Sequence, residues 1–332
     1  AIMKNPTFLL LYIILSYCTA ASAQQEKTFH SYDSSAKTQS EGGWLWKISG
    51  NGLAHPAYLF GTYHGTYDIL YQYTDSIPEL HQASNACSQF AGESETTSKP
   101  TPAQVGAAIK LPKDTTYADL LNKEDFHFLD SIVRQSLKSP LNKVYIKPNF
   151  LALILGEIEK GKKLVDTGYS QSRIDSMKSQ VMDIALEKKA KEKGLTIVGL
   201  EGIFDAFVSE KSNLKKEADE LISDLREDDE ISPLSFVNTL SDVYRTQNMK
   251  SLIDFEVKVD SIFRTSPKLT EIGKRIREDL LKRRNLNWMN KIPELMKAQP
   301  TFIAVGVRHL PGKDGLIALL LEKGYQVEPI GL

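Results

Sequence analysis

The sequence predicts an α/β (α+β) fold: a mixed central β-sheet carrying a large helical insertion. Three observations lead there. Short apolar runs ending at a glycine recur along the chain, as AYLFGT, CSQFAGE, LTIVGLEG and TFIAVG. Between them lie stretches whose apolar residues fall three and four positions apart, the spacing of a helix face. Those stretches, about 101–192 and 203–296, are much longer than a simple crossover between strands and therefore form an insertion.

In chain order, residues 1–23 read as a secretory signal, with Lys4 as charged start, Phe8 to Tyr17 as apolar stretch and Ala21-Ser22-Ala23 as cleavage site. The apolar stretch is too short to span a bilayer. Cys18 offers a lipoprotein as a minor alternative, against which the bulky Tyr17 stands. Residues 24–40 are polar and read as a disordered leader, and one domain follows over 41–332. It begins with WLWKIS and AYLFGT flanking the turn-rich GNGLAHP, a β-hairpin. Ser76 caps a helix that runs to about Ala86, with Glu79 completing a capping box. CSQFAGE is a buried strand ending at Gly92-Glu93. TTYADLL, KEDFHFLDSIVRQSL and FLALILGEIEKG are helices, the last starting at Pro148 and buried at its beginning. SQVMDIALEKKAKEKG is an amphipathic helix stopped by Gly194, and LTIVGLEG is the next strand. After the second helical stretch come a strand (301–305), a loop, a helix (about 314–323) and a last strand (325–329).

The bulk numbers exclude several functions. The 41 Lys and Arg are interspersed with 42 Asp and Glu for a formal net charge of −1, which argues against a nucleic-acid partner. Beyond the leader nothing approaches the roughly 20 apolar residues of a transmembrane helix. The mature chain is expected to be exported, to a periplasm or outside the cell. Of the two cysteines only Cys87 survives signal removal, so no internal disulfide forms, and without a C-x-x-C pair a thiolate zinc site is excluded.

Two blocks share a spacing: Gly61-Thr62-Tyr63-His64 and Gly306-Val307-Arg308-His309, each after an apolar run. A strand ending in Gly-x-x-His sets an imidazole on the rim of a sheet, where ligands of parallel sheets bind. Glu93 holds the equivalent place after its strand, with Glu95 as competitor. A His/His/Glu set suits Zn²⁺, Mn²⁺, Co²⁺ or Fe²⁺. Glu201, another strand-end carboxylate, either orients a histidine from behind or is a helix N-terminal acid. Arg284 and Asn285 either hold a substrate carboxylate or developing oxyanion, or belong with Lys282 and Arg283 to a solvated basic face. Trp288 is read as core. His30, His55, His81 and His127 have no partner pattern and are expected at the surface. There is no H-E-x-x-H and no G-x-S-x-G. GVRHLPGKD is not a phosphate loop: five residues separate its glycines where four are needed, and Asp314 replaces Ser or Thr.

Four pieces carry a resemblance: YLFGTYHGTYD, ACSQFAGE, VMDIALEKKAKEKGLTIVGLEG and RRNLNWMNKIPELMKAQPTFIAVGVRHLPGKDGLIALLLEKGYQVEPI. From about Trp44 to its end the chain resembles the TraB/GumN family, which includes the Tiki proteases. The resemblance implies a fold like that of erythromycin esterase and the haem-binding ChaN-like proteins. It implies a divalent metal (Mn²⁺, Co²⁺ or Zn²⁺) on His64, Glu93 and His309, with the family's Arg-Asn pair on Arg284 and Asn285. It implies a metallohydrolase, a peptidase acting on a peptide or protein; the general base is unassigned, and Glu93 can serve if it is not a ligand. Tiki proteins are membrane-tethered and trim Wnt proteins; no anchor is read in this chain, so such a substrate is not implied. The rival readings are a non-catalytic protein that captures a peptide, pheromone or haem-like ligand in the same cleft, and an esterase.

Overall fold

Six strands make one sheet in the computed structural model, which describes residues 41–63, 78–95, 100–166, 181–202, 213–226 and 240–331, with 168, 170, 172 and 204. The expected signal, the leader, Ser76 and His64 lie outside the described residues. Strands β1 (Leu45–Gly50) and β2 (Ala57–Thr62) form the predicted hairpin, with Leu45 opposite Phe60 and Ile48 opposite Ala57. Then follow β3 (Gln89–Gly92), β4 (Thr196–Gly199), β5 (Thr301–Gly306) and β6 (Tyr325–Pro329). Across the sheet the order is β4-β3-β5-β2-β1-β6. The first four run parallel, while β1 is antiparallel to both β2 and β6. The sheet is therefore mixed, as the sequence predicts.

Register matters more than order here. Thr62 pairs with Gly306, Gly92 with Ala304, and Gly92 with Gly199. The four parallel strands thus finish close to one line, and whatever follows each of them is delivered to the same edge. β3 and β5 are buried at every position, as strands in the middle of a parallel sheet are. The rings of Phe60, Phe302 and Phe90 meet across β2, β5 and β3, with centroids 6.3 and 6.1 Å apart.

The chain divides into two units. One holds the sheet together with α1 (Pro78–Asn85). The other takes its described residues from 99–176 and 204–230 and is helical: α2 (Pro102–Ile109), α3 (Tyr117–Leu120), α4 (Lys123–Leu137), α5 (Pro148–Asp166) and, after α6 (Met182–Glu192) of the sheet unit, α7 (Leu214–Arg226). Its core gathers Leu129, Val133, Leu141, Leu151, Ala218 and Leu221. Asn122 caps α4 by accepting from the Asp125 amide at 2.9 Å.

The helices of the sheet unit are α1, α6 (Met182–Glu192), α8 (Met249–Phe263), α9 (Pro267–Arg275), α10 (Arg283–Trp288), α11 (Ile292–Ala298) and α12 (Leu316–Glu322). The sequence places 101–192 and 203–296 in one helical insertion; the separate helical unit is smaller. α6 and α8 belong with the sheet, because Met182, Ala190, Met249, Leu252, Phe255 and Val259 are buried in its core. Amphipathic spacing marks a face that must be covered but does not name what covers it. No helix among the described residues is long and apolar enough to cross a membrane.

Cys87 lies buried just before β3, and burial pushes its thiol up to about 12. A thiol that stays protonated is a poor nucleophile. At pH 8 the folded protein is expected to react with a disulfide probe such as Ellman's reagent far more slowly than the urea-unfolded chain. Equal rates would place this thiol outside the core.

Candidate active site

The end of β2 is held from two elements. Tyr244 donates its hydroxyl to the Gly61 carbonyl at 2.8 Å, and Thr62 donates to Asp183 Oδ1 at 2.7 Å. His64 would follow, outside the described residues. Beyond β3 and β4 the chains continue side by side: Leu200 N donates to Gly92 O at 2.9 Å and Glu201 N to Glu93 O at 2.8 Å. Gly199 permits this approach, since a Cβ there would stand 2.9 Å from Glu95 N and 3.0 Å from Glu201 O. Glu93 and Glu201 are therefore neighbours by construction.

Beyond β5, Val307–His309 form a 3₁₀ turn. Arg308 anchors it by a two-pronged bond to the buried Glu256 of α8, 2.5 Å from Nε and 2.9 Å from Nη2. The turn also packs on the first motif. A Cβ on Gly61 would lie 2.8 Å from Val307 Cγ2 and 3.1 Å from Val307 Cα. Gly61→Ala is expected to cost about 1–3 kcal/mol, as overpacking in a dense core does. Denaturant unfolding checks this, and an unchanged midpoint would mean that the turn yields freely.

The remaining groups come from α10, which follows a π-helical segment, Ile276–Lys282. Such segments add a residue to the turn and re-aim the side chains after them. Arg284, Asn285 and Trp288 are all buried here, Arg284 at 3% exposure. The five N–H groups of Arg284 all find acceptors. Nε donates to Glu201 Oε1 and Oε2 at 2.9 and 3.2 Å. Nη2 donates to Glu201 Oε1 and to Glu93 Oε2, both at 2.5 Å. Nη1 faces His309 Nε2 at 3.2 Å and the Leu280 carbonyl at 3.4 Å. The guanidinium also lies over the Trp288 ring, 4.7 Å from its centroid, and the Trp288 N–H donates to Glu201 Oε2 at 3.1 Å.

Asn285 fixes the imidazole. Its Nδ2 donates to the carbonyls of His309 and Asp314 at 3.2 and 2.8 Å, so its Oδ1, 2.7 Å from His309 Nδ1, can only accept. The His309 proton is therefore on Nδ1, and the Nε2 lone pair points into the cluster. Glu93 lies on the same side: Oε1 accepts from Gly306 N at 2.7 Å and stands 3.8 Å from His309 Nε2. Burial raises the Glu201 carboxyl above its ordinary value, against the lowering effect of Arg284, with the neighbouring Glu93 charge adding to the rise.

Glu93, Arg284, Asn285 and His309 thus lie in one cluster, and Glu93 rather than Glu95 makes the contacts. Of the two roles weighed for Glu201, orienting a histidine or standing as a helix N-terminal acid, it takes neither toward His309: it holds Arg284 and Trp288, while Asn285 orients His309. Arg284 is not on a solvated basic face, because two carboxylates and an imidazole surround it. Trp288 is core, as expected, and also a donor to the cluster. His55 and His127 are exposed as expected, whereas His81 is half-buried. Among the described residues no three His, Cys, Asp or Glu side chains form a group able to hold a metal ion.

Sequence reading missed Asp183, Tyr244 and Glu256. Glu256 carried a signal, an acid within the buried stripe Leu252, Phe255, Val259 of α8. A search of curated proteins and a search of solved structures returned no match. The family described as TraB/PrgY/gumN matches residues 44–329, which include every strand and every residue of the cluster, and the chain belongs to that family.

Proposed function

We propose that the protein is an exported, metal-dependent hydrolase, a peptidase of the TraB/GumN/Tiki type. One observation carries the reading: His309, with its proton held on Nδ1, and the Glu93 carboxylate stand 3.8 Å apart (Nε2 to Oε1) at the shared end of parallel strands. That donor chemistry fits a borderline divalent ion such as Zn²⁺, Mn²⁺ or Co²⁺. His309 and Glu93 would hold it, with His64 as third ligand. A divalent ion, when bound, supplies a Lewis acid that polarises a carbonyl and acidifies water.

The protein's own groups do the positioning. Asn285 keeps His309 in the required tautomer. The Gly306 amide fixes one Glu93 oxygen and so aims the carboxylate. Arg284, desolvated and charged, stands to meet negative charge that develops on a substrate oxygen. The test is metal analysis with peptide-cleavage and ester-cleavage assays on wild type, His64→Ala, His309→Ala and Glu93→Gln. Stoichiometric metal and peptide turnover, both lost in the histidine variants, support the reading. Ligand capture without turnover when Mn²⁺, Co²⁺ or Zn²⁺ is supplied would make it a binding protein. Turnover of esters alone would make it an esterase.

A further inference from the structure

Resting on the peptidase reading, we propose that substrate docks as an added strand on the outer edge of β4. An extended, uncharged, β-branched stretch of unfolded polypeptide pairs with Ile197 and Gly199 and is led from there toward Glu201. β4 closes one side of the sheet. Its bonds to β3 fix which groups face outward. Thr196 N donates to Ser88 O at 3.0 Å and Leu200 N to Gly92 O at 2.9 Å. Alternate residues of a parallel strand bond to its neighbour, so Thr196, Val198 and Leu200 face β3. The N–H and C=O groups of Ile197 and Gly199 therefore face away from the sheet. Among the described residues nothing bonds to those outward groups. Thr196 is exposed and Ile197, Val198 and Gly199 are half-buried, so the edge is open to solvent.

The two edges of the sheet are unlike. β6 carries the exposed Glu328 and ends in Pro329, which has no N–H; charge and proline both discourage strand addition. β4, Thr196-Ile197-Val198-Gly199, has neither. Its outward donors and acceptors match an extended backbone, and its β-branched side chains favour β-branched partners opposite them. The edge also leads somewhere. Just past Gly199 stands Glu201, whose N–H donates to Glu93 O at 2.8 Å and whose carboxylate holds Arg284. At roughly 3.3 Å per residue, a docked chain comes level with Glu201 about 7 Å beyond Gly199. Backbone pairing then holds the chain, and the cluster is left for the chemistry.

The test is fluorescence anisotropy of a labelled peptide of alternating threonine and valine, flanked by lysines, titrated with the full chain. Mass spectrometry of the same samples reads cleavage. Because the Ile197 N–H faces away from β3, Ile197→Pro removes that donor without breaking a bond of the sheet, and edge positions of this kind tolerate proline. The lost donor and the added ring are expected to weaken binding at least about tenfold, while Ile197→Val binds as wild type does. On wild type, the fully N-methylated peptide is expected to lose binding to a similar extent, which decides the matter should the proline variant not fold. Hydrogen exchange adds a third readout. In the free protein the Ile197 and Gly199 amides should exchange much faster than those of Val198 and Leu200, and the bound peptide should slow them. Three results overturn the docking: no binding of the peptide, binding indifferent to both proline and N-methylation, or Ile197 and Gly199 amides already protected in the free protein. Cleavage of the peptide alongside any of these leaves the hydrolase reading standing. Binding that needs the N–H groups but never yields cleavage upholds the docking edge and makes the docked chain a captured ligand, which removes the peptidase reading instead.

Discussion

Replacing Arg284 by leucine is expected to lower the unfolding free energy by about 3–5 kcal/mol, the usual consequence of removing one partner from a buried ionic cluster. The guanidinium is 3% exposed, and the two carboxylates it holds are 10% and 11% exposed. Leucine fills part of the space but leaves both acids without their cation. For a chain of this size each kcal/mol moves the melting temperature by about 2–4 °C. Differential scanning calorimetry should therefore show a drop on the order of 6–20 °C. Adding Glu201→Gln should recover part of it, because one stranded charge disappears; strictly additive losses would contradict the coupling.

The same variant has a pH signature. Burial raises the Glu201 carboxyl above its ordinary 4.5, and Arg284 opposes that rise. An acid whose folded pKa exceeds its unfolded one holds its proton more tightly when folded, so stability falls as pH climbs between the two values. Without Arg284 the folded value moves further up and the window widens. Arg284→Leu should lose stability more steeply than wild type as pH rises above 4.5, and Arg284→Leu/Glu201→Gln should not.

The strands were legible because a glycine-ended apolar run has a local cause. A parallel strand buried on both faces needs unbroken apolar residues, and its end needs a residue that allows close backbone approach. Glu93 and His309 could be singled out for the same reason, since each follows such a run at a fixed short distance. The partnerships were not legible. Arg284 meets Glu201 across 83 positions and Glu93 across 191, and no local pattern encodes a pairing of that range. Glu201 could be marked as a strand-end acid, but whether it faced a histidine or an arginine depended on β4 lying beside β3. The helices raised the same difficulty. The spacing in 182–192 marks a face to be buried, yet the sheet rather than the helical unit covers it. Local sequence fixed the parts and their ends, while assembly decided which charge answered which.

On the metal-dependent reading proposed above, Asn285→Leu is expected to reduce metal affinity and hydrolysis by about 10–100-fold, the range seen when the group behind a ligating histidine is lost. Leucine is close in size, so the loss is chemical. The His309 Nδ1–H loses its acceptor, and the carbonyls of His309 and Asp314 lose their donor. With nothing selecting Nδ1–H, the proton is free to occupy Nε2, and that fraction of molecules cannot offer the lone pair to a cation. Asn285→Asp separates this effect from simple loosening of the turn. A carboxylate still accepts from Nδ1–H, so the tautomer is kept, but its second oxygen replaces the Nδ2 that lies 2.8 Å from the Asp314 carbonyl, and two acceptors then repel. The aspartate variant should therefore be no more stable than the leucine variant yet bind Co²⁺ more tightly. Long-range ¹H–¹⁵N correlation of the His309 ring should show Nδ1–H in wild type and in the aspartate variant, and a mixture in the leucine variant. Leucine at full wild-type affinity would mean that the tautomer is set elsewhere, and that Asn285 holds the turn without tuning the imidazole.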